Sequence, residues 1–183
     1  KAISKGYDVV VLPETAFPYF LNLAPDVVEL LKEKSLDIAI IAGALKLDGN
    51  TTYNSTYLFK NGEMFIFDKV VAVPFGEVNP LPKFMSKIVN DLFFGGAEDY
   101  KTADKPSDFE IKQTPFRNAI CYEATSERMY EGSPKYMIAI SNNAWFVPSL
   151  EPTIQQMIIK HLSKKYGTIV YHSVNKSETS ITN

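Results

Sequence analysis

The segment Asp37 to Leu45, DIAIIAGAL, has no polar or charged side chain after its first residue. A continuous apolar run of that length reads as a strand, in a domain whose strands are mostly buried. The rest of the chain supplies matching pieces. Asp8 to Leu12 is a short β-branched run stopped by Pro13, and Tyr53 to Asp68 reads as a hairpin turning at Asn61-Gly62, a pair that accepts the two positive φ angles of a type I′ turn. Further strands are expected at Phe116 to Cys121, Tyr136 to Ser141, Thr168 to Val174 and Glu178 to Thr182. Helices are expected at Pro25 to Lys34, where Val27, Val28, Leu30 and Leu31 stand among charges, and at Ala124 to Tyr130 and Pro152 to Tyr166. Strands outnumber helices but alternate with them, which predicts an α/β fold. No repeat, linker or low-complexity tract divides the 183 residues, so residues 1–183 read as one domain.

Charge narrows the function. Nineteen basic residues stand against 21 acidic ones, two of the basic ones are arginine, and the longest basic run is a Lys-Lys pair, so no nucleic-acid partner is expected. No stretch approaches the ~18 consecutive apolar residues of a membrane-spanning helix. A lone cysteine forms no internal bridge and leaves the compartment open. The sequence has no Cys/His spacing of a zinc site and no glycine-rich phosphate loop, so neither metal nor cofactor is expected. Asn54-Ser-Thr and Asn175-Lys-Ser match a glycosylation pattern common by chance, and His161 and His172 lie in no context that pairs them with the cysteine.

The reactive residue types collect where strands end. Glu14 follows the first strand behind Pro13, Lys69 follows the hairpin, and Cys121 ends the Phe116 strand. Ligand sites of open α/β sheets lie beyond the carboxyl ends of strands, so these three side chains are candidates to converge. A thiol attacks as thiolate and needs a base, for which Glu14 is suited. The Lys69 ammonium is suited to the oxyanion that builds on an attacked carbonyl. On the residues alone a second reading stays open: a single cysteine closing an apolar strand is more often a small buried hydrophobe than a nucleophile, and a lone Glu or Lys in a loop is usually solvated.

Four segments carry a resemblance. VVLPETAFP, YNSTYLFKNGEMFIFDKVVAVPFGEVNPLP, ICYEATS and ISNNAWF, in that order from about Val9 to Thr182, resemble the nitrilase superfamily of carbon–nitrogen hydrolases and, more narrowly, the bacterial apolipoprotein N-acyltransferases. The resemblance implies a nitrilase-like α-β-β-α sandwich, here truncated at both ends, and a catalytic triad of Glu14, Lys69 and Cys121. It assigns supporting places to Glu77 in PFGE, to Tyr122 and Glu123 after the cysteine, and to Trp145 in AWF. The chain departs from the family at Asn143, often Asp, and at Val147, often Gly. The implied reaction moves an acyl chain from a phospholipid through a Cys121 thioester to the terminal amine of a diacylglyceryl-cysteine lipoprotein, without a cofactor, at the periplasmic face of the bacterial inner membrane. Alternatives are a soluble amidase using the same triad and an inactive interaction module of the same fold.

Pro82 to Phe94, PKFMSKIVNDLFF, places Phe84, Met85, Ile88, Val89, Leu92 and Phe93 on one face of a helix. The resemblance makes this an arm meeting the membrane surface, hinged at Gly95-Gly96, whereas the residues alone favour a helix packed on its own core. The opening KAISKGYDVVVL reads as a helix end entering a strand, which suggests a start partway through a domain.

Overall fold

The computed structural model describes residues 1–73, 77, 100–146 and 148–183. Its strands are β1 (Val9–Val11), β2 (Phe17–Phe20), β3 (Ala39–Asp48), β4 (Thr51–Lys60), β5 (Glu63–Asp68), β6 (Asp108–Ile111), β7 (Thr114–Ile120), β8 (Tyr136–Asn142), β9 (Ile169–Asn175) and β10 (Ser180–Thr182). The helices that pack on them are α1 (Pro25–Lys34) and α2 (Glu151–Tyr166).

Two five-stranded sheets result. The first has the order β1-β3-β4-β5, with β2 also paired to β3. The second has the order β10-β9-β8-β7-β6, in which β7, β8 and β9 run parallel while β6 and β10 close the edges antiparallel. The β4–β5 hairpin turns where the sequence predicts, with Asn61 at φ 52° and Gly62 at φ 79°. Between the sheets lies a core to which Ile41 and Leu58 contribute from one side and Ile120, Ile138 and Ile140 from the other. Outside the first sheet, Val28 of α1 packs with Ile40, Tyr57 and Phe59. Outside the second, Ile159 and Leu162 of α2 cover Met137, Ala139 and Val170. The layers are therefore α-β-β-α. DIAIIAGAL has no polar face because β3 is covered both by the opposite sheet and by α1.

Local chemistry sets the element ends. Pro25 opens α1, where its missing N–H would find no helical partner anyway. Gly167 ends α2 in the left-handed region at φ 67° and donates to the Ser163 carbonyl.

Some elements differ from expectation. β2 and β6 are edge segments whose Pro18 and acidic residues hide them from a search for apolar runs. The expected helix from Ala124 to Tyr130 is instead two 3-10 turns, Cys121–Thr125 and Glu127–Tyr130. Ser126, extended at φ −96° and ψ 127°, separates them. The proposed arm (Phe84, Met85, Ile88, Leu92, Phe93) and Gly95-Gly96 lie outside the described residues. Among those described, no helix is long and apolar enough to cross a membrane.

Candidate active site

β1, β3 and β5 point the same way, because β1 is parallel to β3 and two antiparallel steps separate β3 from β5. The residues just past β1 and β5 therefore emerge at one edge of the first sheet. There they meet the residue that follows β7 in the second sheet. Glu14, Lys69 and Cys121 all line a single cavity of about 610 Å³, together with Asn54, Glu77, Tyr100, Asn142 and Phe146.

Glu14 is fixed at both oxygens. Oε1 accepts from Asn54 Nδ2 at 2.8 Å and Oε2 from the Asn142 N–H at 2.8 Å. Its backbone is held against β3: Leu12 N–H donates to the Ile41 carbonyl at 2.8 Å and Gly43 N–H to the Pro13 carbonyl at 3.2 Å. Gly43 has to be a glycine, since a Cβ there would stand 2.5 Å from Glu14 Cα and 2.9 Å from Thr15 N. Gly43→Ala is accordingly expected to push the Glu14 loop off β3. Overpacking of this kind costs ~1–3 kcal/mol, and a shift of about 1 Å at a reacting group costs on the order of 100-fold in rate. Denaturant melts and iodoacetamide alkylation rates of Cys121 on the same variant check both effects; wild-type values in both would refute the tight fit.

Lys69 is 2% exposed. Its Nζ lies 2.8 Å from each carboxylate oxygen of Glu77. Burial works against its charge, but the carboxylates around it, Glu77 first and then Glu14, help to outweigh it and raise the ammonium above its ordinary value. Glu77 is positioned by the Val73 N–H at 2.9 Å and by Asn54 Nδ2 at 2.9 Å. One Asn54 amide thus bridges the carboxylate facing the thiol and the carboxylate holding the lysine.

Cys121 sits at φ 55°, a conformation costly for a residue with a Cβ, at the first position of the 3-10 turn. Its thiol is pushed up to about 12, first by burial and then by the Glu14 charge, with Lys69 opposing. A hydrogen bond with Glu14 also favours the neutral thiol. At rest the sulfur is protonated beside a carboxylate able to take the proton and an ammonium able to meet new negative charge.

Glu123 is fully buried and does not face the cavity chemistry. Its Oε1 accepts from the N–H groups of Val70 and Val71, and its Oε2 accepts from the Ile120 N–H at 2.7 Å. Burial lifts its pKa, and those three N–H bonds together with Lys69 pull against the lift. It ties the segment after Lys69 to the residue before Cys121. Tyr122 is exposed in the turn after the nucleophile candidate. Trp145 belongs to the turn Asn143–Phe146, and its side chain and all of Val147 lie outside what is described.

Reading strand ends finds Glu14, Lys69 and Cys121 but misses Asn54, Asn142 and Gly43. Asn54 was set aside as part of a chance glycosylation pattern, yet it is a buried bridge. Gly43 did carry a signal, since a glycine inside a strand marks close approach of another backbone. Asn142 contributes its backbone N–H, which no side-chain pattern reveals. Among the described residues, no three His, Cys, Asp or Glu side chains gather as metal ligands.

This chain has the fold of the nitrilase, or carbon–nitrogen hydrolase, superfamily. Solved structures similar to it include an amidase of the nitrilase superfamily from Nesterenkonia, with a TM-score of 0.68 at 11% identity over 99% of this chain and 68% of that one. Another is a CN-hydrolase superfamily protein from Xanthomonas campestris with an arsenic adduct in its active site, with a TM-score of 0.65 at 15% identity over 94% of this chain and 66% of that one. In sequence the likeness is to apolipoprotein N-acyltransferases. The one from Wolinella succinogenes is 50% identical over 181 residues, 98% of this chain and 44% of its own length. The one from Helicobacter pylori is 43% identical over 182 residues, 98% of this chain and 43% of its own length. The chain spans less than half the length of these relatives. No family model matches it.

Proposed function

We propose that residues 1–183 form part of the catalytic domain of an apolipoprotein N-acyltransferase, with Cys121 as nucleophile, Glu14 as general base and acid, and Lys69 as oxyanion partner. The observation that carries this reading is the convergence of a thiol, a carboxylate and a buried ammonium on one cavity, in a chain 50% identical to an enzyme of that name. Glu14 takes the thiol proton as Sγ attacks the ester carbonyl of a phospholipid acyl chain. The oxyanion of the tetrahedral intermediate is met by Lys69. As the C–O bond breaks, Glu14 returns the proton to the departing alkoxide and a lysophospholipid leaves. The amine of a diacylglyceryl-cysteine lipoprotein then attacks the thioester and gives a proton to Glu14; as the C–S bond breaks, Glu14 hands that proton to the departing sulfur, restoring the thiol and the carboxylate. Glu77, through Lys69 and Asn54, and Glu123, through the backbone, position the reacting groups.

The substrates in this reading are lipid-borne, and the place of action is the periplasmic face of the bacterial inner membrane, with the arm that includes Phe84, Met85, Ile88, Leu92 and Phe93 meeting lipid. The amidase alternative has in its favour a likeness of fold at 11% identity, which speaks for fold alone. The test is to incubate the protein with phospholipid bearing a labelled acyl chain and look for a hydroxylamine-labile acyl group on the protein. It is expected on the wild type and absent in Cys121→Ala, a loss of at least ~1000-fold. Label that survives in Cys121→Ala would move the nucleophile elsewhere.

A further inference from the structure

The outward face of α2 is left uncovered in an ordered way. Gln155, Ile159, Leu162 and Ser163 of this helix face the second sheet and are buried. On the opposite side, Leu150 just before the helix and then Ile154, Met157 and Ile158 are 75%, 53%, 66% and 38% exposed. Their spacing places them on one stripe. Along the same stripe toward the helix C-terminus the side chains turn cationic: His161, Lys164 and Lys165 follow, with Lys160 at its margin, all exposed. Lys165 is shared with Glu127, whereas Lys160 and Lys164 pair with no carboxylate among the described residues. Lysines in a last turn also suit the helix dipole, but the dipole gives no reason to hold four apolar side chains in water at the other end.

The apolar end is the end nearest the chemistry. Phe146, which lines the cavity, closes the turn Asn143–Phe146 only four residues before Leu150. We propose that this face of α2 docks on an anionic phospholipid layer, entering obliquely, with the Leu150 end seated among acyl chains and Lys160 and Lys164 at the level of the phosphates. The cavity mouth is then held where an acyl ester lies. The inference rests on the acyl-transfer reading for the purpose of the docking, but not for its geometry. Charge order along the stripe selects this occupant: apolar side chains followed by unpaired cations match the depth profile of a lipid leaflet. A second copy of the chain is a poorer match, because a standard protein interface takes ~20–30 residues from each side.

The test is flotation of the full chain with vesicles of phosphatidylethanolamine and phosphatidylglycerol, compared with phosphatidylcholine alone. The pair Ile154→Asp and Met157→Asp is expected to weaken binding at least ~10-fold. The pair Lys160→Gln and Lys164→Gln is expected to weaken it ~5-fold or more, only where phosphatidylglycerol is present. A second measurement needs no destabilising change. In a Cys121→Ser background, an environment-sensitive dye on Leu150→Cys should shift to the blue on vesicles, and the same dye on Lys164→Cys should not. Equal shifts at both positions overturn the oblique seating. Vesicle binding unaffected by either pair overturns the surface. A dimer that the aspartate pair dissociates, with no lipid effect, assigns the face to a second copy. Wild-type protein that acylates Cys121 from a monomeric ester yet never floats overturns the docking and leaves the function; one that floats but never acylates does the reverse.

Discussion

Glu14→Gln is expected to slow acylation of Cys121 by ~100- to 10,000-fold at pH 7 and to make the remaining rate climb nearly tenfold per pH unit. The wild-type thiol, held up at about 12, presents its thiolate in only about one molecule in 100,000 at neutral pH, so attack has to be coupled to proton transfer. With glutamine in place, the proton has no acceptor and the rate follows the free thiolate. The substitution also removes what the Glu14 carboxylate adds to the rise of the thiol, so its pKa falls from about 12, while burial, the largest cause, keeps it above the ordinary 9.0. The slope therefore persists through neutral pH and up to that new value. The glutamine oxygen still accepts the Asn142 N–H, the bond from the Asn54 amide is lost, and the backbone bonds of Leu12 and Gly43 keep the loop on β3. Iodoacetamide alkylation and acylation from a soluble ester, each measured from pH 6 to 10, read the same group by two chemistries. A variant whose profile parallels the wild type would show that Glu14 is not the base.

Lys69→Met should do damage twice, and the two parts are separable. The ammonium is buried with Glu77 on both its oxygens and with Glu14 and Cys121 close enough to shift it, so deletion leaves buried carboxylates facing one another. Breaking a buried pair by removing one partner costs ~3–5 kcal/mol, which a shift in the denaturant midpoint will report. Loss of the charge that meets the oxyanion costs a further ~100- to 1000-fold in the rate measured on molecules that remain folded. Lys69→Met with Glu77→Gln removes the stranded charge. This double variant should recover much of the stability and none of the rate. Recovery of both would make Lys69 a structural ion only.

A buried strand could be read from the apolar run DIAIIAGAL, whereas the α-β-β-α layering was implied by the resemblance alone. The strand-end placement of Glu14, Lys69 and Cys121 was legible because proline, hairpin and apolar-run signals each end where a reactive side chain begins. What could not be read was everything that depends on a partner far along the chain. Asn54 looks like an ordinary polar residue of a hairpin until β4 lies beside β3 and its amide reaches both Glu14 and Glu77. β2 and β6 owe their strand geometry to a neighbour's hydrogen-bonding edge, which overrides Pro18 and the charged residues of DFEI. The predicted helix after Ile120 is broken into two turns at the extended Ser126, and the Glu123 side chain of the first turn is committed to the backbone N–H groups of Val70, Val71 and Ile120.

That last commitment has a mechanical consequence. The thiol stands on one sheet and the ammonium on the other, and besides side-chain packing a few hydrogen bonds cross between the sheets, among them the Asn142 N–H to Glu14 and the Ser173 hydroxyl to the Val11 carbonyl. Glu123 works as a rivet through both leaves of the sandwich, driven in beside the reacting pair. The segment that follows the ammonium and the residue that precedes the sulfur are thereby pinned to one carboxylate, which sets how far apart the two reacting groups stand.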